Sequence, residues 1–185
     1  MTGYELETER LQLRLLAIAD LEAHHRQITA NPYVMKTLPS SRPLTWERGQ
    51  AVLTNFIDHW QHHGFGLWAM VEKQHGELIG HCGLQWLQNT SEVELAYAIA
   101  HDYWNKGLTT EAARASVRFG FETLQLQRIV SIALPTNLAS QRVMQKAGLK
   151  YEKRAHYYNL EVAYYSLNRE DYQPDDSFYR LRSAG

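Results

Sequence analysis

Residues 10–16, Arg-Leu-Gln-Leu-Arg-Leu-Leu, alternate between polar and apolar side chains, the period-two pattern of a half-buried strand. The next run, 17–29 (AIADLEAHHRQIT), reads as a helix with Asp20 near its start. Pro32, Pro39 and Pro43, with Ser40 and Ser41 between the last two, then break the pattern, because proline cannot continue a helix interior. Thr45 is a good N-cap for a helix whose apolar stripe is Trp46, Val52, Leu53, Phe56, Ile57 and Trp60. Gly64 and Gly66 end it. Strand patterns follow at 67–72, 78–86 and 92–99, and the short connections KQHGE and LQNTS predict a consecutive antiparallel meander.

After Gly107 a helical run extends to about Leu124, with Leu108, Ala112, Ala115 and Phe119 on one face. The small residues on that face allow a helix to approach a sheet closely. Residues 128–134 (RIVSIAL) are strand-like and Pro135 stops them; LASQRVMQKA is a helix ended by Gly148. LKYEKRA and EVAYYSLN form a closing pair of strands. The polar tail from about Gln173 predicts no element, and no repeat or linker divides the chain. The expectation is one mixed α/β domain over residues 1–172, with 173–185 as a C-terminal tail.

Composition narrows the class. The 185 residues suffice for one domain with a real core, and 44% apolar with 21% charged residues is ordinary globular usage. A net charge of −1 with interleaved signs supplies no field that would draw the chain to nucleic acid or anionic lipid. The one cysteine, Cys82, excludes an internal disulfide framework and a multi-cysteine zinc site. The charged N-terminus has no apolar signal region, and no window reaches the roughly 18 to 20 apolar residues of a membrane helix. A cytoplasmic protein is expected. His59, His62 and His63 lie near one helix end without a carboxylate or cysteine set to complete a metal site, and adjacent His24 and His25 point different ways on a helix, so no metal is expected.

The stretch YWNKGLTTEA (103–112) sits between a strand and a long helix, where leading amides lack intrahelical partners and carry the positive end of the dipole. Such amides can bind phosphate, with Gly107 permitting close approach, Thr109 and Thr110 adding hydroxyls and Lys106 a charge. By spacing alone, a simple helix start fits as well. Neither GxxxxGK[ST] nor GxGxxG occurs, which argues against a nucleotide hydrolase and a nicotinamide dehydrogenase.

The order of elements and three residue patterns resemble the GCN5-related N-acetyltransferase (GNAT) superfamily, with the branch that acetylates ribosomal-protein N-termini (the Rim type) as the closest match. LETERLQLRLL followed by ADLEAH is similar to that branch's opening strand and helix; YWNKGLTTEAARA resembles its acetyl-CoA turn, and NLASQRVMQKAGL its asparagine–serine helix. The resemblance covers residues 6–168. It implies a mainly antiparallel, splayed sheet flanked by helices, with acetyl-CoA as co-substrate in the cleft between strands 92–99 and 128–134. Pantetheine would pair with backbone near Ala98, Ile99 and Ala100, and the pyrophosphate would lie on amides of Asn105, Lys106, Gly107, Leu108, Thr109 and Thr110. Trp104 stands first in the turn, as is usual for the Rim branch, while Thr109 is bulkier than the Gly or Ala common in the family. The position of a tyrosine acid in many relatives is Met144 here, and Ser140 is the replacement in the Rim branch.

The implied reaction is direct attack of a primary amine on the thioester. At pH 7 an α-amine is roughly a tenth neutral and a lysine about one in a few thousand, so a lysine acceptor leans harder on a general base. Glu94 matches the family's catalytic glutamate; otherwise it is an exposed residue of an alternating strand. His156, after the strand of 149–155, is a second candidate base, and its alternative is a surface histidine. Ser140 is the candidate acid toward the thiolate. Asn137 is a helix N-cap whose side chain also stands near the cofactor. Expected partners are acetyl-CoA and an amine acceptor, a protein N-terminus or a small molecule, with no nucleic acid and no membrane; a homodimer stays open. The competing reading is a non-catalytic acyl-CoA-binding regulatory module on the same fold.

Overall fold

The structure, a computed structural model, describes residues 3–184. Among the described residues nine strands form one sheet: β1 (Gly3–Glu7), β2 (Leu11–Leu15), β3 (Leu67–Glu72), β4 (Glu77–Trp86), β5 (Val93–Ile99), β6 (Arg128–Ala133), β7 (Lys150–Tyr157), β8 (Leu160–Asn168) and β9 (Arg180–Ala184). Their spatial order is β7-β8-β6-β5-β4-β3-β2-β1-β9. The meander from β3 to β5 is antiparallel, with Cys82 opposite both Trp68 and Tyr97. One neighbouring pair is parallel: β5 meets β6 at the single register point Glu94↔Val130. Beyond it the two strands diverge, and this splay opens the sheet.

Helices cover both faces. α1 (Leu21–His24), α2 (Pro32–Met35) and α3 (Trp46–His63) precede β3; α4 (Leu108–Arg118) and α5 (Leu138–Lys146) flank β6 in sequence. The Thr45 hydroxyl caps α3 by accepting the Arg48 N–H at 3.4 Å, and Gly64 closes it in the left-handed region at φ 73°. Ala112, Ala113, Ala115 and Ser116 are buried along α4, which joins the large core with Trp68, Phe119 and Phe121. Cys82 packs in the same core, its Sγ 3.5 Å from the Ser116 hydroxyl, and burial pushes the thiol up to about 12.

The structure departs from the sequence pattern in several places. Residues 17–29 form a 3₁₀ turn (Ile18–Asp20), α1 and a π-helical turn (His25–Thr29). Asp20 accepts the Ala17 N–H at 2.9 Å and a two-pronged Arg14 bond at 2.7 and 2.8 Å, which tightens the entry. Pro32 starts a helix rather than only breaking one, because its fixed φ suits the first helical position and the Asn31 side-chain oxygen receives the Tyr33 N–H at 3.0 Å. The long helix after Gly107 ends in a π-helical turn at Phe119–Thr123. The tail supplies β9, which pairs with β1 from Gly3↔Ala184 to Glu7↔Arg180. Arg180 and Arg182 reach Glu7 at 3.4 and 3.2 Å, so charge lines this outer edge.

Candidate active site

The splay between β5 and β6 opens into a cleft of about 710 Å³. Strand chemistry sets one wall. Ala100 donates its N–H to Ile79 at 2.7 Å, and the Leu95 carbonyl accepts the Ser131 hydroxyl at 2.7 Å. Backbone groups alternate sides along a strand, so even-numbered residues of β5 face β4 and odd-numbered ones face β6. Past Glu94 that second row has no ladder partner. Within the predicted strip Ala98–Ala100, the backbone of Ala98 is therefore spent on β4 and that of Ala100 on β4 and the Tyr103 N–H, and the open edge belongs to Tyr97 and Ile99. Trp104 occupies the Ile99 carbonyl through its indole N–H at 3.0 Å, which leaves the Ile99 amide and both Tyr97 groups toward the gap.

The turn before α4 is the second wall. Asn105 (φ 60°) and Gly107 (φ 76°) both lie in the left-handed region, which glycine adopts freely and asparagine tolerates. No side chain caps α4, and its first ring closes from the Glu111 N–H to the Gly107 carbonyl at 3.1 Å. The amides of Leu108, Thr109 and Thr110 are left over. Gly107, Thr109 and Thr110 line the cleft, while the Leu108 side chain is buried in the core. Arg10 secures the turn from behind, donating to the Lys106 carbonyl at 2.8 Å and to Glu111 at 2.7 Å. The Lys106 ammonium stands 4.7 Å from the centre of the Tyr103 ring and is not part of the cleft wall. The cations on that wall are Arg142 and Lys146 of α5, both exposed.

Two chemical groups flank the gap. Glu94 is 6% exposed, not the surface residue that alternation allowed; the Gln85 amide donates to it at 3.2 Å and burial raises its carboxyl to about 7. Ser140 lies in the first turn of α5, its N–H bound to the Asn137 side-chain oxygen at 3.1 Å. The Tyr97 hydroxyl is 3.0 Å from both the Ser140 carbonyl and the Ser140 hydroxyl. A carbonyl only accepts, so the Tyr97 proton satisfies it and the Ser140 proton can turn into the cleft. Burial raises the Tyr97 phenol well above its ordinary value and keeps it protonated. Glu94 and Tyr97 are three residues apart on a strand and point to opposite faces.

The remaining sequence candidates scatter. Asn137 lines the cleft and its amide donates to the Thr37 carbonyl at 3.1 Å, tying α5 to the segment after α2. His156 lies within β7 rather than after it, exposed opposite Glu161 and away from the cleft wall. Met144 is buried in the core. His59 is spent structurally between the Phe65 carbonyl at 2.8 Å and the Trp86 N–H at 3.1 Å. Among the described residues no group of three or more His, Cys, Asp or Glu could hold a metal ion, and no helix is long and apolar enough to cross a membrane. Sequence reasoning missed Tyr97, His81 and Arg142 on the cleft wall. Arg142 and Tyr97 carried a faint signal, each standing inside a motif already singled out or next to one.

Residues 10–150 match the acetyltransferase (GNAT) domain family. The Bacillus subtilis protein YkkB is 35% identical over 105 residues, 56% of this chain and 61% of that protein. The Escherichia coli [ribosomal protein uS5]-alanine N-acetyltransferase is 26% identical over 163 residues, 84% of this chain and 82% of that enzyme. A crystal structure of an acetyltransferase from Agrobacterium tumefaciens superposes with a TM-score of 0.79 at 29% identity, covering 89% of this chain and 94% of that one. The splayed sheet, the uncapped α4 turn and a match over three quarters of the sequence agree: the chain belongs to the GNAT acetyltransferase family and is an acetyl-CoA-dependent N-acetyltransferase.

Proposed function

We propose that this enzyme transfers the acetyl group of acetyl-CoA to a primary amine by direct attack, with Glu94 as general base and Ser140 as hydrogen-bond donor to the departing thiolate. The observation that carries the reading is their placement. A buried carboxyl near 7 stands on one face of the splayed strand, and a hydroxyl pair stands on the other. An amine can then approach from one face while sulfur leaves toward the other.

The protein fits the cofactor. The leftover amides behind Gly107 would take the pyrophosphate, and Arg142 and Lys146 add positive charge along the same wall. Tyr97 and Ile99 offer the backbone edge for pantetheine. Thr109 and Thr110 are half-buried beside these amides, so their hydroxyls would add donors, Thr109 at the position where the family more often has Gly or Ala.

The chemistry runs through three of this chain's groups. Glu94, as carboxylate, takes a proton from the acceptor ammonium and frees its lone pair. The nitrogen bonds to the thioester carbon, the carbon–sulfur bond breaks with its electron pair leaving on sulfur, and the second proton that the nitrogen sheds as the amide forms is taken up by the departing thiolate. The Ser140 hydroxyl turns toward that sulfur, with Tyr97 holding it in place. His156, exposed on β7, has no comparable path to the gap.

For the acceptor we propose an α-amine of the protein N-terminal type, supported by the likeness to the uS5-alanine enzyme and by the modest base an α-amine needs. A thiol-release assay over peptide and small-molecule amines, repeated with Glu94→Gln, tests the mechanism. Turnover that survives that substitution unchanged removes Glu94 as the base.

A further inference from the structure

His24 and His81 form a pair that the reaction above does not use. His24 is fully buried and His81 is 8% exposed, and the His24 Nε2 lies 2.9 Å from the His81 Nδ1. Phe56 packs against both rings, at centroid distances of 6.2 and 5.0 Å. The nearest acid of that helical segment, Asp20, is already held by Arg14. The other nitrogen of His24, Nδ1, is sealed from solvent and has no hydrogen-bond partner among the described residues. The other nitrogen of His81, Nε2, is not sealed, bonds no group among the described residues, and belongs to a ring on the cleft wall.

One proton shared between two rings allows two arrangements. If His24 carries its hydrogen on Nδ1, a buried N–H is left without an acceptor. If it carries the hydrogen on Nε2, the orphan is only a bare lone pair. Orphaned buried N–H groups are the rarer and costlier defect, so the second arrangement wins. His24 then donates to the His81 Nδ1, and the His81 hydrogen must sit on Nε2. Burial lowers both rings' affinity for a second proton, so they stay neutral and do not repel an incoming ammonium.

The surroundings say what this N–H would meet. His81 and Gln85 project from the same face of β4, opposite Ala98 and Glu94 of β5. Between these two rungs lies the pair Gly83–Ala96, nearly without side chains. The result is a low floor with the Glu94 carboxyl at one end and the His81 N–H at the other. An amine over this floor, nitrogen toward Glu94, presents its remaining atoms to His81. A neutral oxygen is favoured there, because the Glu94 carboxylate disfavours an acceptor bringing its own.

We infer that His81, its tautomer fixed by His24, is a specificity-determining residue whose Nε2–H selects amines bearing a neutral carbonyl oxygen a few bonds from the reactive nitrogen. This rests on the acetyl-transfer reading above and adds the discriminating group to it. The test compares kcat/KM for alanyl-alaninamide and n-hexylamine in the wild type, His81→Phe and His81→Gln. The two amines differ in basicity, so the quantity to read is the change in their ratio between proteins, in which basicity cancels. His81→Phe is expected to lower the ratio about tenfold or more, and His81→Gln, which keeps an N–H at similar reach, to restore most of it. A ratio unmoved by His81→Phe overturns the inference. Side-chain ¹⁵N NMR of the wild-type protein tests it independently of any variant's folding: Nε2–H on both rings is expected, and Nδ1–H on both overturns it. Turnover without discrimination would sink the His81 assignment alone, whereas no turnover on any amine would sink the acetyl-transfer reading with it.

Discussion

The two halves of the cleft are built from different materials. The half we propose for the cofactor is main chain: a left-handed turn, the uncapped start of α4 and an unpaired strand edge. The half we propose for the acceptor is side chain: Glu94 and Gln85 at one end, and a histidine pair at the other. Main chain offers the same amides whatever the neighbouring residues are, so one half can keep a common cofactor. Side chains can be exchanged singly, so the other half can be retuned for new acceptors on the same frame.

This contrast can be broken experimentally. Glu94→Gln should have the largest effect, lowering kcat about 10²- to 10⁴-fold in steady-state kinetics, while calorimetry finds CoA binding unchanged. A parallel loss of CoA affinity would mean that the halves are not separate. Ser140→Ala and Tyr97→Phe should each lower kcat about tenfold with KM for acetyl-CoA little altered. Their double variant should be no worse than the poorer single one, because Tyr97 acts only by holding Ser140 in place. Additive losses would separate them.

Gly107→Val forces a branched side chain into the left-handed region and should weaken CoA binding roughly tenfold, leaving the pH dependence of turnover as it was. Arg142→Ala and Lys146→Ala should weaken it only a few-fold each, an effect that fades as salt is raised. The smallest difference concerns stability. The Glu94 carboxyl is raised from 4.5 to about 7 in the folded protein. Between those values the folded state holds a proton that the unfolded state has released, so this group's contribution to stability declines as pH rises through about 7. Thermal melts of Glu94→Gln should lack that decline, and at pH 8 the variant should melt above the wild type. A wild-type melting profile that rises over the same range at this group's expense would contradict the buried carboxyl.

What could be read from sequence follows the same division. The turn at 103–112, the Thr45 and Asn137 caps and the β3–β5 meander depend on neighbours in the chain, and local spacing reveals them. Glu94 was identifiable only through resemblance, since alternation alone made it a surface residue. Tyr97 matters because the splay brings α5 within 3.0 Å of a residue 43 positions away, and His24 because a partner 57 positions away completes its hydrogen bond. No periodicity encodes such meetings. The tail was missed for another reason: β9 carries two arginines and one leucine in an edge position, and its pairing is specified by Glu7 at the far end of the chain.

That pairing bears on how the protein comes into being. β1 through β5 can assemble as a meander while the chain is still growing, but β9 is synthesised after every other described strand and docks on the first, with Gly3 opposite Ala184. Until then the outer edge of β1 stays open, a template for another chain during the slow, long-range part of folding. Glu7 on that edge then acts as a chaperone of its vacancy, steering the arginines of the late-arriving strand by charge while its carboxylate makes the edge a poor landing place for others.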